Sequence, residues 1–335
     1  MKVVVLKKFL YLCRREMRFI VSNMKKTVWA LLCVLLVFVV ATIGASFYML
    51  DYSLAPDKNR ADTDSCYRQL FGNYPETVGW VDSLQRIDAL RDTFVTMPEG
   101  YRSHAYYVNT GSRKTALVIH GWRDQAIKFF YLARMYEREF GYNVVMPDLY
   151  ASGQSDGEAL RMGWLDRLDM LRWLEVFQTD SMVVHGVSMG GATTMMMSAH
   201  PMPDGIKDIR FVDDCGYTSV WDEFAGEMRN RFSLPEFPLM YSTNVICKLR
   251  YGWAFDEASA IRQVARCHYP MLFIHGDSDK FVPTSMVYRL YEAKPAPKEL
   301  WIAPETAHAR SYKNHRAEYT KRVGAFIAHP FQGRP

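Results

Sequence analysis

Two patterns of apolar residues divide the chain. In the first, the 24 residues of 27–50 carry no charged side chain. At about 1.5 Å per residue they would form a helix of roughly 36 Å, enough to cross a hydrocarbon core of about 30 Å. Further on, short apolar runs alternate with segments of helical periodicity. That alternation predicts a mostly parallel central sheet covered by helices on both faces.

The charge distribution orients the first apolar segment. Residues 1–50 hold eight of the chain's 41 basic residues and one of its 36 acidic residues, which leaves 33 basic against 35 acidic elsewhere. The basic residues precede the segment and acidic residues follow it. The positive-inside rule therefore predicts a cytoplasmic N-terminus (residues 1–26), a single transmembrane helix (residues 27–50) in the cell membrane, and an extracytoplasmic remainder. That remainder is nearly neutral, which argues against a nucleic-acid partner.

Two other interpretations of the apolar segment are a cleaved signal peptide and a buried core helix. The apolar part of a signal peptide is normally about 7–15 residues and follows a short basic lead, whereas here the lead is 26 residues long. A core helix would show a polar face. We therefore expect an uncleaved membrane anchor. A solvated stalk from Leu54 to Arg60 and a helical extension would complete residues 51–92.

The globular domain is predicted over residues 93–335. Residues 93–97 and 103–109 read as a hairpin, and buried strands are expected at 115–119, 143–148, 209–214, 271–275 and 299–302, with one more strand leading to residue 186. Residues 220–265 are too long for a plain crossover and are rich in Met, Phe, Tyr and Trp. They are predicted to form an inserted helical lid, or cap.

A Gly-x-Ser-x-Gly motif stands at residues 186–190, between an apolar strand and a predicted helix. Glycines at both ends permit a tight strand-to-helix turn that lifts Ser188 clear of the sheet. The backbone N–H of Met189 then lies at the helix N-terminus, where it can stabilise a developing oxyanion. Alone, the motif is a weak pattern.

Two downstream loops supply partners for Ser188 as a nucleophile. A serine nucleophile needs a base, and the base needs a carboxylate to orient it. The loop after strand 299–302 contains His308, and the loop after strand 271–275 contains Asp277 and Asp279. We predict Ser188 as nucleophile, His308 as base and then acid, and Asp279 as the orienting carboxylate, with Asp277 as its alternative. A second oxyanion donor is expected from the backbone N–H of Trp122, after strand 115–119.

Other titratable residues near the strand ends need separate interpretation. Asp213 and Asp214 end the predicted strand at 209–214 and are further candidates for the orienting acid. His120, His185 and His275 each directly precede a glycine at a strand end. We expect these three histidines to be buried and hydrogen-bonded.

Taken together, these motifs resemble those of the serine α/β-hydrolases over residues 90–330, and the resemblance favours Asp279 over Asp277. The chain order Ser, Asp, His is the order that this fold requires. The chain looks closest to a bacterial branch grouped with serine aminopeptidases and monoacylglycerol-lipase-like proteins, some members of which are membrane-anchored. The resemblance implies an α/β-hydrolase fold and an esterase, lipase, thioesterase or peptidase that needs no cofactor. The matching segments are 120–122, 148 with 153–155, 186–191, 276–283, 307–308 and 213–219.

Competing site types have little support in the sequence. No nucleotide-binding glycine motif follows a strand, and neither His-Glu-x-x-His nor Cys-x-x-Cys occurs, so no metal is expected. Four of the six cysteines, at 66, 215, 247 and 267, would face an oxidising compartment, where a disulfide is possible. The lid offers either an acyl pocket or simple packing, through Met228, Phe232, Leu234, Phe237, Leu239, Met240 and Tyr241.

The sequence thus predicts a membrane-anchored serine hydrolase acting on a small-molecule ester, acyl or peptide substrate. An esterase is favoured over a peptidase. An aminopeptidase-like peptidase remains an alternative, as does a non-catalytic binding protein of the same fold, because fold does not fix function.

Overall fold

A mostly parallel sheet of eight strands forms the centre of the described part of the chain. In the order β1-β2-β4-β3-β5-β6-β7-β8, β2 is antiparallel to both of its neighbours and every other neighbouring pair is parallel. This confirms the predicted architecture. The strands are β1 (Leu90–Thr96), β2 (Arg102–Val108), β3 (Lys114–Ile119), β4 (Asn143–Pro147), β5 (Ser181–Val187), β6 (Asp208–Asp214), β7 (Met271–Gly276) and β8 (Lys298–Ala303).

The computed structural model describes residues 2–329, and the side chains of residues 7, 8 and 11–329. Residue 1 and residues 330–335, the outer ends of two predicted segments, lie outside the described residues. The helices are α1 (Lys2–Leu54), α2 (Thr63–Asn73), α3 (Val78–Arg86), α4 (Phe130–Phe140), α5 (Asp166–Val176), α6 (Met189–Met197), α7 (Val220–Glu227), α8 (Leu239–Tyr251), α9 (Ala260–Val264), α10 (Ser285–Ala293), α11 (Ser311–Asn314) and α12 (Arg316–Ala328), with 3-10 turns at Pro75–Thr77 and Ala126–Phe129.

Each face of the sheet is covered by its own apolar core. Successive side chains of β5 point to opposite faces, so Val183 and Val184 lie in different clusters. Val184 joins the cluster that contains Met195 of α6, whereas Val183 joins the cluster that contains Tyr136 of α4 and Tyr319 of α12. Burial on both faces explains why the central strands are almost continuously apolar.

The N-terminal helix α1 is longer than the predicted span and enters the domain. Its residues 11–54 form one stretch long and apolar enough to cross a membrane, and the most apolar part is not buried by protein. At its C-terminal end, however, Ser46, Leu50 and Leu54 are fully buried. Their spacing of four residues places them on one face of the helix. The expectation that Leu54 begins a solvated stalk is therefore wrong, because this face packs against the domain.

The lid lies between β6 and β7, as predicted. It contains α7, a π-helical turn (Met228–Phe232), α8 and α9. Helix α8 packs along the end of α1, where the hydroxyl groups of Ser46 and Ser242 are 2.6 Å apart. The lid and the N-terminal helix therefore meet above the carboxyl ends of the parallel strands.

Candidate active site

Ser188 stands at the sharp turn between β5 and α6. Its backbone has φ 58° and ψ −119°, a conformation that a non-glycine residue rarely adopts. A Cβ at Gly186 would overlap the carbonyl oxygen of Gly190, and a Cβ at Gly190 would overlap that of Ile119. Only glycine fits at either position. The strand, the helix and the two glycines together fix the position of Ser188.

Ser188, His308 and Asp279 form a continuous hydrogen-bonded chain. The Nε2 atom of His308 lies 2.8 Å from Ser188 Oγ, and its Nδ1 atom lies 2.7 Å from Asp279 Oδ2. Because a carboxylate only accepts hydrogen bonds, Nδ1 carries the proton and Nε2 is left to accept from the serine hydroxyl. Ser188 follows β5, His308 follows β8 and Asp279 follows β7, so all three side chains lie at one edge of the sheet.

Asp279 is buried and held by several donors. Its Oδ1 atom accepts hydrogen bonds from the backbone N–H groups of Phe281 (2.9 Å) and Val282 (3.0 Å). On the other oxygen, His275 Nε2 approaches to 3.3 Å. Burial alone would raise the pKa of Asp279, but hydrogen bonds from His275 and His308 outweigh it and lower the pKa to about 2. The carboxylate is therefore ionised at neutral pH.

The other candidates for the orienting carboxylate have hydrogen-bond partners other than His308. Asp277 is exposed, and its Oδ1 accepts from the Ser278 hydroxyl and the backbone N–H of Thr306. Asp213 Oδ1 accepts from the backbone N–H of Gly216, while Asp214 Oδ2 accepts from the hydroxyl of Tyr319 at 2.9 Å. Of these carboxylates, none has a hydrogen bond to His308 within the described residues.

All three histidines that precede glycines are buried and hydrogen-bonded, as expected. His120 is buried, and its Nε2 accepts from the backbone N–H of Leu149 at 2.9 Å. His185 is buried between the hydroxyls of Tyr136 and Tyr319, and burial lowers its pKa to about 3. His275 is buried too, but it also contacts Asp279. This contact was not predicted from the sequence, in which its only signal is the four-residue spacing from His275 to Asp279.

The loop after β3 borders Ser188 closely. A Cβ placed on Gly121 would lie 3.5 Å from Ser188 Cβ, so the backbone of Trp122 follows at the edge of the site. Met189 is the first residue of α6, where backbone N–H groups have no partner within the helix. Both predicted oxyanion donors therefore belong to backbone segments that adjoin the serine.

A largely apolar pocket, open to solvent, contains Ser188. Its lining includes Phe224 of the lid, Phe281, and Tyr52 and Ser53 from the last turn of α1. The lid residues considered for an acyl pocket do not line this pocket. Met228, Phe232 and Met240 line a neighbouring cavity with Met49 of α1, and Phe237 and Tyr241 are exposed.

One group of potential metal ligands was found in the described chain, and it overlaps the same site. Ligand atoms of Cys215, Asp279 and His308 all lie within 4.8 Å of one another. Both nitrogens of His308 already have hydrogen-bond partners, and burial raises the pKa of the Cys215 thiol well above its ordinary value, which disfavours a thiolate ligand. The six cysteines are free, so the disulfide considered from the sequence does not form.

Comparisons with known proteins agree on the architecture. No family model matches the chain. An uncharacterised protein of Bacillus subtilis, YqkD, is 27% identical over 260 residues, which cover 75% of this chain and 84% of that protein. The esterase Pf2001 of Pyrococcus furiosus superposes with a TM-score of 0.58 at 22% identity, over 73% of this chain and 94% of that one. The α/β-hydrolase GrgF of a Penicillium species superposes with a TM-score of 0.53 at 16% identity, over 71% and 97%. The chain therefore has the α/β-hydrolase fold predicted from its sequence.

Proposed function

We propose that this chain is a membrane-anchored serine hydrolase that cleaves carboxylic esters through an acyl-enzyme on Ser188. The observation that carries the proposal is the continuous hydrogen-bonded chain of Ser188, His308 and Asp279, set at a strained turn beside an open pocket. We further propose that it belongs to the bacterial branch near the serine aminopeptidases and monoacylglycerol-lipase-like proteins.

The proposed mechanism follows from the proton positions in this chain. His308 Nε2 removes the hydroxyl proton as Ser188 Oγ attacks the substrate carbonyl carbon. The imidazolium that results is stabilised by the ionised Asp279, and the negative oxygen is stabilised by the backbone N–H groups of Met189 and Trp122. His308 then gives its proton to the leaving alcohol. Water repeats these steps, releasing the acid and restoring Ser188.

The largely apolar surface of the pocket favours an ester or another acyl substrate. A peptidase would use the same acyl-enzyme chemistry and remains the second candidate. No cofactor or metal has a role in the proposed steps.

Membrane anchoring is the second part of the proposal. It is supported by the length and apolar character of α1, whose most apolar part is not buried by protein. The basic residues before it and the acidic residues after it support a topology with residues 1–26 in the cytoplasm and the catalytic domain outside. The proposed units are residues 27–50 as the span and residues 93–335 as the hydrolase domain, joined by residues 51–92.

A fluorophosphonate probe tests the nucleophile in the full-length protein. We expect covalent labelling of the wild type, none in Ser188→Ala, and a severe reduction in His308→Ala. Ser278→Ala is the matched control, because Ser278 is an exposed serine in the Asp279 loop that touches neither Ser188 nor His308. Absence of labelling in the folded wild type would instead favour the non-catalytic alternative.

A further inference from the structure

Glu223 of α7 is a buried carboxylate without a partner. Its side chain lines the pocket that contains Ser188, and the residue is only 5% exposed. Neither of its carboxylate oxygens has a hydrogen-bond partner among the described residues. Buried carboxylates are normally paired, because removing a charge from water without compensation is costly. An unpaired one that faces a binding pocket indicates a ligand group that completes it.

The charged groups around Glu223 are already engaged with each other. Glu227, one turn further along α7, forms an ion pair with Arg231 at 2.6 Å. Arg231 also donates to the hydroxyl of Tyr52 on α1. Across the pocket, Tyr217 donates its hydroxyl proton to the carbonyl of Met162. Arg231 is the one Lys or Arg among the described residues that line the pocket, and it is already paired with Glu227.

The field at Glu223 is negative. Burial, followed by the Glu227 and Asp279 carboxylates, raises the pKa of Glu223 to about 8. This carboxyl is therefore protonated at neutral pH. Nearby anions favour a positively charged ligand over a neutral hydroxyl group, since the cation also interacts favourably with Glu227 and Asp279.

We propose that Glu223 binds an ammonium group on the part of the substrate that fills the Ser188 pocket. This inference rests on the proposed hydrolase function and narrows its substrate class to amino-bearing acyl compounds. When the ammonium group binds, the carboxyl of Glu223 releases its proton and pairs with the cation as a carboxylate. Binding should therefore strengthen as the pH rises toward the pKa of this carboxyl, provided that the amine itself remains protonated.

Matched p-nitrophenyl esters test the assignment, with ω-amino acyl chains of three to six carbons compared with the same chains lacking the amine. For the full-length protein we expect at least one chain length to show roughly a tenfold higher kcat/KM with the amine, and this preference should grow between pH 6 and pH 8. Glu223→Gln should abolish the preference. Asp222→Asn should keep it, because Asp222 on the same helix pairs with Arg289.

The results of these assays distinguish a failure of the ammonium site from a failure of the proposed hydrolase function. Hydrolysis of the plain esters with no amine preference at any chain length, or a preference that survives in Glu223→Gln, overturns the ammonium site alone. Failure to hydrolyse any ester, together with no fluorophosphonate labelling, overturns the hydrolase proposal and this inference with it.

The outer face of the lid exposes several large apolar side chains. Along α8 and the residue before its N-cap, Phe237, Tyr241, Val245 and Leu249 are 72%, 54%, 58% and 82% exposed. Their spacing of four residues forms one apolar stripe. Contiguous exposed stripes of this kind mark interaction surfaces.

The stripe lies beside the end of the membrane helix. Ser242 of α8 contacts Ser46 of α1, and Arg250 pairs with Asp51 at 2.8 Å. The stripe thus lies at the level where the apolar run of α1 ends. At this level α1 itself exposes Phe47 and Tyr48.

The geometry points to the outer leaflet of the bilayer as the partner of this stripe, an inference that rests on the proposed membrane anchoring. The exposed apolar face of α8 then contacts the lipid next to α1. Tyr52 and Ser53, one turn beyond Tyr48, line the Ser188 pocket. The pocket is therefore placed at the lipid surface, where it can accept amphiphilic substrates.

A fluorescent label sensitive to polarity tests this placement in reconstituted vesicles. Val245→Cys is compared with Val176→Cys, which is 42% exposed at the end of α5, next to the start of β5 and opposite the Ser188 edge. Both are made with Cys13→Ser and Cys33→Ser, which remove the exposed native thiols. We expect blue-shifted emission and quenching by spin-labelled lipid at position 245 but not at position 176.

Equal, unquenched emission at both positions in vesicle-bound protein overturns the lid placement alone. Crosslinking of two copies through position 245, without lipid quenching, would identify the stripe as a dimer interface and also overturns it. Protein that fails to float with vesicles contradicts the anchoring itself.

Discussion

The indole Nε1 of Trp122 donates a hydrogen bond to the backbone carbonyl of Ser53, at 2.9 Å. Arg123 donates to the carbonyls of Tyr52 and Ala55 beside it. The last carbonyls of a helix have no partner within the helix, and here the loop proposed to stabilise the oxyanion supplies those partners. The end of α1 and the candidate active site are therefore joined directly.

Trp122→Phe should weaken this junction while keeping a large ring in place. Loss of the indole N–H removes one hydrogen bond, worth about 1 kcal/mol, which corresponds to a fall in Tm of roughly 2–4 °C. Activity should fall as well, because the backbone of Trp122 is a proposed oxyanion donor. Thermal unfolding and ester hydrolysis measure both effects. Trp29→Phe, at an exposed position of α1, should change neither.

The buried end of α1 should contribute strongly to the stability of the domain. Leu54→Ala removes a fully buried side chain from the main core and should cost about 2–5 kcal/mol. Leu249→Ala, at a position 82% exposed, should stay within about 0.5 kcal/mol. Denaturant unfolding of the full-length protein in detergent compares the two. Equal stabilities would show that α1 does not pack on the domain.

Substitution of the two aspartates in the loop after β7 should affect kcat to very different extents. Asp279→Asn removes the charge that orients and stabilises His308, so kcat should fall by about 10³–10⁴-fold. Asp277→Asn should leave kcat nearly unchanged, because this exposed carboxylate contacts Ser278 and Thr306 instead. Steady-state ester hydrolysis by both variants decides between them. A large loss in Asp277→Asn alone would transfer the orienting role to that residue.

Asp213 should make the protein less stable at higher pH. Burial raises the pKa of this carboxyl to about 7, with Asp214 adding to the effect and His275 opposing it. A raised pKa in the folded state contributes stability that is complete below about pH 4 and is lost as the pH rises toward 7. In Asp213→Asn this loss is absent. The Tm of Asp213→Asn relative to wild type should therefore be higher at pH 8 than at pH 5.

A Tm difference between Asp213→Asn and wild type that does not vary with pH would contradict this account. The asparagine carbonyl can still accept from the backbone N–H of Gly216, so the comparison isolates the ionisation.

Local sequence patterns are enough to predict the sheet and the positions of Ser188 and His308. Continuous apolar runs mark strands buried on both faces, and the glycines at 186 and 190 are required by close backbone contacts. The choice between Asp277 and Asp279 depends on how an irregular loop turns two carboxylates in different directions. Spacing alone does not determine that turn.

The contact between α1 and the lid was not predictable from local pattern. The apolar run of α1 has no polar face, so Ser46, Leu50 and Leu54 carry no signal that one face is buried by protein. Glu223 was not distinguishable either. An acidic residue in the first turn of a helix is common because it favours the helix dipole, and its burial depends on how the lid folds over the pocket.

The most direct test of the central claim is hydrolysis of p-nitrophenyl esters of graded acyl length by the full-length protein in detergent, with Ser188→Ala alongside. We predict hydrolysis by the wild type with a defined chain-length optimum, and a loss of at least about 10³-fold in Ser188→Ala at unchanged Tm. Equal hydrolysis by wild type and Ser188→Ala would contradict the assignment of Ser188 as the nucleophile.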